Sequence, residues 1–237
     1  MNIVITGASK GIGFEVARLF AAHEENTVVA LARSENLLKE LKNACIRENL
    51  KTKIRPLVFD IEDPHLVQRS VQQEILKYVD TVDILINNAG VLVNKPFHEI
   101  SPEEMIKSFR INAISPALII QELLPLLKRG QVKHVINIAS MGGFQGSVKF
   151  PGLSIYSASK AALANLSEGL AEEYKKDQLT FNSLALGAVN TEMLRSAFPG
   201  IKAPLEPDDM ARFICDFAIH GKKYFNGKVL PVSSTTP

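Results

Sequence analysis

The chain has 237 residues, 46% of them hydrophobic, enough to bury a sizeable core as one α/β domain. Its 27 basic and 25 acidic residues leave a formal charge of +2, and no block of like charge is long enough to act as an arm, so nucleic acid and membrane surfaces are excluded as primary partners. Cys45 and Cys215 stand far apart in helix-like contexts and read as reduced thiols, no leader is recognised before the first strand, and no apolar run reaches the ~18 residues of a membrane span. A soluble, cytoplasmic protein is expected.

Ile3-Val4-Ile5 is a short buried strand that runs into Thr6-Gly-Ala-Ser-Lys-Gly-Ile-Gly13, after which Phe14, Val16, Ala17, Leu19 and Phe20 continue as a helix. Glycines let the backbone turn tightly against a ligand, and free amides at a helix start attract a pyrophosphate. Gly7, Ser9, Lys10, Gly11, Ile12 and Gly13 are therefore candidate dinucleotide contacts. Thr27–Ala32 is the second strand. At its end a carboxylate would take a ribose hydroxyl and repel a 2′-phosphate. Here stand Ala32, Arg33 and Ser34 with Lys10 nearby, which favours NADP(H) over NAD(H).

A polar helix over residues 37–49 leads to a third strand, Ile54–Phe59, closed by Asp60 and Ile61. Asp60 either reaches an adenine amino group or caps the next helix, residues 67–79. The fourth strand, residues 82–86, ends in Asn87-Asn88-Ala89-Gly90, small and amide residues where ligands of parallel sheets sit. Ser101-Pro-Glu-Glu104 is a capping box opening a long helix to about Leu127. That helix carries Asn112, a polar residue among apolar ones that is either a hydrogen-bond node or part of a proton path.

The fifth strand, residues 132–139, ends at Ser140, and a Gly-, Pro- and Ser-containing loop over 144–155 leads to Tyr156-Ser-Ala-Ser-Lys160. Tyr156 and Lys160 are one helical turn apart and share a face, so an ammonium is available to favour the ionised phenol. A sixth strand over 181–186, a turn over 187–191 holding Val189 and Thr191, an interrupted segment over about 192–207, a helix over 208–219 and a last strand over 228–232 complete the chain. The alternation predicts a doubly wound parallel sheet, a Rossmann fold, as a single domain over 1–237. The five histidines show no metal spacing and are expected to be structural or exposed.

TGASKGIG at 6–13, NNAG at 87–90, Asn112, Ser140, YSASK at 156–160 and GAVNT at 187–191 occur together in one order. In these motifs the chain resembles the short-chain dehydrogenase/reductases over essentially its whole length. The resemblance implies Tyr156 as proton donor, Lys160 as the group that binds the nicotinamide ribose and lowers the tyrosine pKa, Ser140 as the holder of the substrate oxygen, and Asn112 as the anchor of a water linking Lys160 to solvent. It further implies hydride exchange between NADP(H) and a carbonyl or alcohol, such as a 3-oxoacyl thioester or a small ketone or aldehyde, in a homodimer or homotetramer. The chain departs from the family in four places: sixteen positions separate Ser140 from Tyr156, more than usual, the extra residues falling in the loop over 146–154 that should line the substrate pocket; Leu186 stands where proline is usual; the segment after Thr191, often a substantial substrate lid, is short; and the terminal Val232-Ser-Ser-Thr-Thr-Pro lacks the common acidic, glycine-rich ending. A dinucleotide sensor or scaffold without turnover and a Rossmann-like methyltransferase are the rival readings. The first has no need of the complete Asn112, Ser140, Tyr156, Lys160 set, and the second has no need of the Tyr156–Lys160 pair.

Overall fold

Helices cover both faces of a parallel sheet, so a central strand with neighbours on either side can be apolar on both faces. Ile3, Val4 and Ile5 are wholly buried in β1 (Asn2–Thr6). In the computed structural model, which describes residues 1–49 and 51–233, β1 is an interior strand of a parallel sheet. The other strands are β2 (Thr27–Ala32), β3 (Lys53–Val58), β4 (Ile84–Asn87), β5 (His134–Ser140), β6 (Thr180–Leu186) and β7 (Lys228–Val232), in the order β3-β2-β1-β4-β5-β6-β7.

The helices are α1 (Gly11–Ala21), α2 (Glu35–Glu48), α3 (Pro64–Leu76), α4 (Pro102–Phe109), α5 (Ser115–Arg129), α6 (Ser154–Glu173), α7 (Glu192–Ala197) and α8 (Pro207–His220). Alternate strand residues face opposite layers. Ile3, Ile5, Ile84 and Ile86 pack with Val16 and Phe20 of α1 and Ile214 of α8, whereas Val4, Leu85, Val135 and Phe181 pack with Val71 of α3 and Leu123 of α5. The doubly wound expectation therefore holds. Chain direction across the sheet reverses between β1 and β4, and the register sets Thr6 beside Asn87 and Ser140 beside Leu186, so the loops beyond these strands open into one crevice.

The long helix expected from Pro102 to Leu127 is present but changes pitch midway. Its start is as read, with Ser101 and Glu104 forming the capping box, but Arg110–Ile114 winds as a π-helix. Pro116 has no N–H for the Asn112 carbonyl, so the α pattern cannot close there, and Ser115 N–H reaches back to Arg110 O. Residues 102–129 form one continuous rod that is, by length and composition, apolar enough to cross a membrane, contrary to the expectation drawn from uninterrupted apolar runs. In this fold its apolar side covers the sheet: Ile119, Ile120, Leu123 and Leu127 are buried.

Cys45 and Cys215 are free, and burial pushes their thiols up to about 11 and about 12 respectively. Of the terminal segment noted in the sequence, residues 234–237 lie outside the described residues.

Candidate active site

The glycine loop is shaped by two residues in left-handed backbone, Gly7 (φ +68°) and Gly11 (φ +59°). Lys10 precedes α1 in extended conformation and makes no side-chain cap, so the first amides of α1 face the crevice without a capping oxygen. The loop is held from below by β4. Thr6 Oγ1 accepts the Asn88 and Ala89 N–H groups at 3.1 Å each, and Asn88 Nδ2 donates to the Thr6 and Gly7 carbonyls, again at 3.1 Å.

A cavity of about 620 Å³ starts at this loop and ends at Ser140, Tyr156 and Lys160. Gly7, Ser9, Lys10, Gly11, Ile12, Arg33, Asp60, Ile61, Asn88, Ala89, Gly90, Val189 and Thr191 all line it, as the sequence suggests. Four candidates do not. Gly13 sits behind the loop, where a Cβ would come within 2.3 Å of Asn88 Nδ2, so its smallness serves helix-to-strand packing. Ser34 caps α2 by accepting the Leu37 N–H at 3.4 Å. Asn87 is buried beneath the cavity and donates to Asn137 Oδ1 at 2.9 Å. Asn112 is fully buried.

Asn112 is a hydrogen-bond node. Its side chain clamps Val91, accepting the N–H at 2.8 Å and donating to the carbonyl at 2.9 Å, and it donates to Ser159 Oγ at 2.9 Å. Ser159 Oγ in turn donates to the Tyr156 carbonyl at 2.7 Å, so the π turn fixes the first turn of α6 and hence the phenol. Asp60, for its part, does not cap α3. It accepts the Glu62 N–H at 2.9 Å, and Asp63 caps α3.

Tyr156 is half-buried, opening on the cavity beside Ser140, whose hydroxyl accepts the Gly142 N–H at 3.2 Å. Lys160 is 3% exposed and donates from Nζ to the Ile138 carbonyl at 2.7 Å. Burial brings its pKa down to about 8. Burial pushes the Tyr156 pKa up and the neighbouring Ser140 hydroxyl draws it back in part.

The sequence reading passed over Glu62, Leu92, Met141 and Phe198, which also line the cavity; Phe150 and Leu153 line it from the loop expected to do so. Glu62 carried a detectable signal, since it lies two residues beyond Asp60. The apolar group comes from loops with no periodicity and gave none. Glu62 matters to the rim: it pairs with Arg33 at 3.6 Å and with Lys107 at 3.3 Å, while Lys10 pairs with Glu192 at 2.9 Å. Among the described residues no cluster of His, Cys, Asp or Glu could hold a metal ion.

The glycine cradle, the uncapped α1 amides and the long cavity fit a dinucleotide. The comparisons agree with this geometry. The family model for short chain dehydrogenases matches residues 1–202. An uncharacterized oxidoreductase of Staphylococcus saprophyticus is 30% identical over 208 residues, covering 88% of this chain and 86% of its own. The 3-oxoacyl-acyl-carrier-protein reductase of Chlamydia trachomatis is 27% identical, with 97% of this chain and 94% of its own covered. Among solved structures, a Shigella flexneri protein of the short chain dehydrogenase type, complexed with NADP, superposes with a TM-score of 0.87 at 27% identity over 97% of this chain and 95% of its own. The L-sorbose reductase of Gluconobacter frateurii, complexed with NADPH and L-sorbose, gives 0.86 at 25% identity over 99% and 95%. With the family model spanning most of the chain and the fold and crevice matching it, the protein belongs to the short chain dehydrogenase family of oxidoreductases.

Proposed function

We propose that the protein is an NADP(H)-dependent oxidoreductase that reduces a carbonyl, or oxidises the corresponding alcohol, in the cytoplasm. The observation that carries this reading is the meeting of the Ser140 hydroxyl, the Tyr156 phenol and the buried Lys160 ammonium at one end of a cavity whose other end is a glycine cradle. A bound nicotinamide supplies the hydride, so that C=O becomes CH–OH as NADPH becomes NADP⁺.

The chain's own residues handle charge and protons. Reduction builds negative charge on the carbonyl oxygen; Ser140 donates a hydrogen bond to it and Tyr156 transfers its proton to it. The phenol keeps its proton at neutral pH, as its ordinary pKa of about 10 requires, which suits the donor role. Lys160 donates to Ile138 O and has further N–H groups toward the cavity, placed for the hydroxyls of a nicotinamide ribose. Asn112 acts through Ser159 and Val91 and is a positioning residue.

NADP(H) is favoured because Ala32 at the end of β2 and Arg33 just beyond it stand where a carboxylate would take the ribose hydroxyl, and Lys10 lies in the glycine loop; both residues and Lys10 line the cavity. Incubation of the protein with NADPH and a panel of ketones, aldehydes and quinones, followed at the nicotinamide absorbance, tests the reading. Turnover with NADPH supports it; cofactor binding with no turnover on any carbonyl points to the sensor or scaffold.

A further inference from the structure

Beyond Ser140 and Tyr156 the cavity is walled by three segments that are tied to one another. Asn94, in the loop after β4, donates from Nδ2 to the Ala197 carbonyl of α7 at 2.7 Å, and the neighbouring Lys95 N–H donates to the Gly152 carbonyl, just before α6, at 3.1 Å. Around that junction Leu92, Phe150, Leu153, Met193, Phe198 and Ile201 turn apolar side chains to the cavity. Phe150, Met193 and Ile201 remain 40%, 39% and 52% exposed, an unusual outlay of apolar surface at a rim. Phe150 and Leu153 belong to the lengthened segment between Ser140 and Tyr156.

Apart from Lys160 beside Tyr156 and Glu192 beside Met193, the charged residues lining the cavity lie on other segments. Arg33, Glu62 and Lys107 form one paired group, and Lys10 with Glu192 another beside the glycine loop. Of the lysines nearest in sequence to the apolar wall, Lys202 beside Ile201 is exposed and does not line the cavity, and Lys149 and Lys95 are engaged. Lys149 Nζ donates to the Gly142 and Phe144 carbonyls at 2.8 and 2.6 Å, and Lys95 pairs with Glu104. A substrate carboxylate or a row of hydroxyls would be desolvated at this wall without partners, whereas a hydrocarbon chain would cover it.

We infer that the substrate is a neutral ketone or aldehyde whose carbonyl bears a hydrocarbon chain of several carbons, lying against Phe150, Leu153, Phe198 and Ile201. The inference rests on the reductase reading for its chemistry and adds the substrate class. Each methylene that the wall covers contributes up to about fourfold in affinity or specificity.

The test uses 2-alkanones of four to ten carbons, a 2-oxo acid and a ketose. Their kcat/KM values are measured with NADPH, and in parallel their affinities are measured by calorimetry on the NADPH-loaded Tyr156→Phe protein. The expected result is a rise of at least about tenfold in both series between four and eight carbons, with the 2-oxo acid and the ketose below the long ketones. Ile201→Asp, at a half-exposed position, should flatten the dependence on chain length. A flat series, a preference for the 2-oxo acid or ketose, or an Ile201→Asp series as steep as the wild type would overturn the inference. If affinity climbs with chain length while no ketone is reduced, the apolar site stands and the reductase reading falls; if all ketones are reduced alike, the reverse holds.

Discussion

Two cations carry the case for the cofactor's 2′-phosphate, and each already has a carboxylate. Arg33 faces Glu62 at 3.6 Å and Lys10 faces Glu192 at 2.9 Å, all four side chains at least a quarter exposed. A charge-assisted hydrogen bond is worth about 1.5–3 kcal/mol in favourable cases. Solvent screening and the existing partners reduce that here, and the expected preference for NADPH over NADH is about tenfold, on the order of 1.4 kcal/mol. Glu62→Gln should raise it several-fold by releasing Arg33, and Arg33→Ala should lower it, mainly by weakening NADPH. Ala32→Asp should reverse it. Parallel titrations of the two cofactors decide this, and a Glu62→Gln protein that discriminates no better than the wild type would remove the rim from the account.

At the scale of elements, Gly13 shows how a motif residue can serve the site without touching a ligand. Alanine there would add up to about 1 kcal/mol of helix propensity. Its Cβ would meet Asn88 Nδ2 at 2.3 Å and the Gly7 carbonyl at 2.4 Å, and overpacking of that kind costs about 1–3 kcal/mol. The clash wins. Gly13→Ala should lower the denaturant midpoint and weaken NADPH binding several-fold through the displaced glycine loop; an unchanged midpoint would show that Asn88 yields freely.

The same element marks what the sequence made legible. β1, the glycine loop and α1 follow from an apolar run, glycines and a 3.6-residue period, and each is local. The Tyr156–Lys160 face is local too. What stayed hidden depends on contacts between distant segments: the π turn at Arg110–Ile114 was signalled by Pro116 alone, the Asn94–Ala197 tie joins positions with no shared pattern, and Glu62 matters because β3 lies beside β2.

For the whole molecule, acid stability and assembly are the open properties. His134 is fully buried, donates from Nδ1 to the Ala218 carbonyl and accepts from Asn182, and burial brings its pKa down from 6.5 to about 4. Between these values the unfolded chain binds a proton that the folded one refuses, so stability is full above pH 6.5 and falls as the pH drops toward 4. The expected loss across that window is about 3 kcal/mol from this residue. Urea unfolding at pH 7, 5.5 and 4.5 measures it, and an NMR signal of His134 that titrates near pH 6.5 would contradict it. The outward side of the 102–129 rod leaves Ile106 56% and Ile114 48% exposed, with Phe97 64% exposed just before it. Such a face suits a second copy of the chain. Sedimentation at micromolar concentration should give a dimer or tetramer, and a monomer would contradict that expectation.

The central claim, proton transfer from Tyr156 in an NADPH-dependent carbonyl reduction, is tested most directly by one paired measurement on Tyr156→Phe: the rate of NADPH oxidation with a ketone that the wild type reduces, and the NADPH dissociation constant. The variant keeps the aromatic ring and loses the hydroxyl, so turnover should fall by about 10²–10⁴-fold while the dissociation constant stays within a few-fold of the wild type. Turnover at the wild-type rate in the variant would contradict the mechanism.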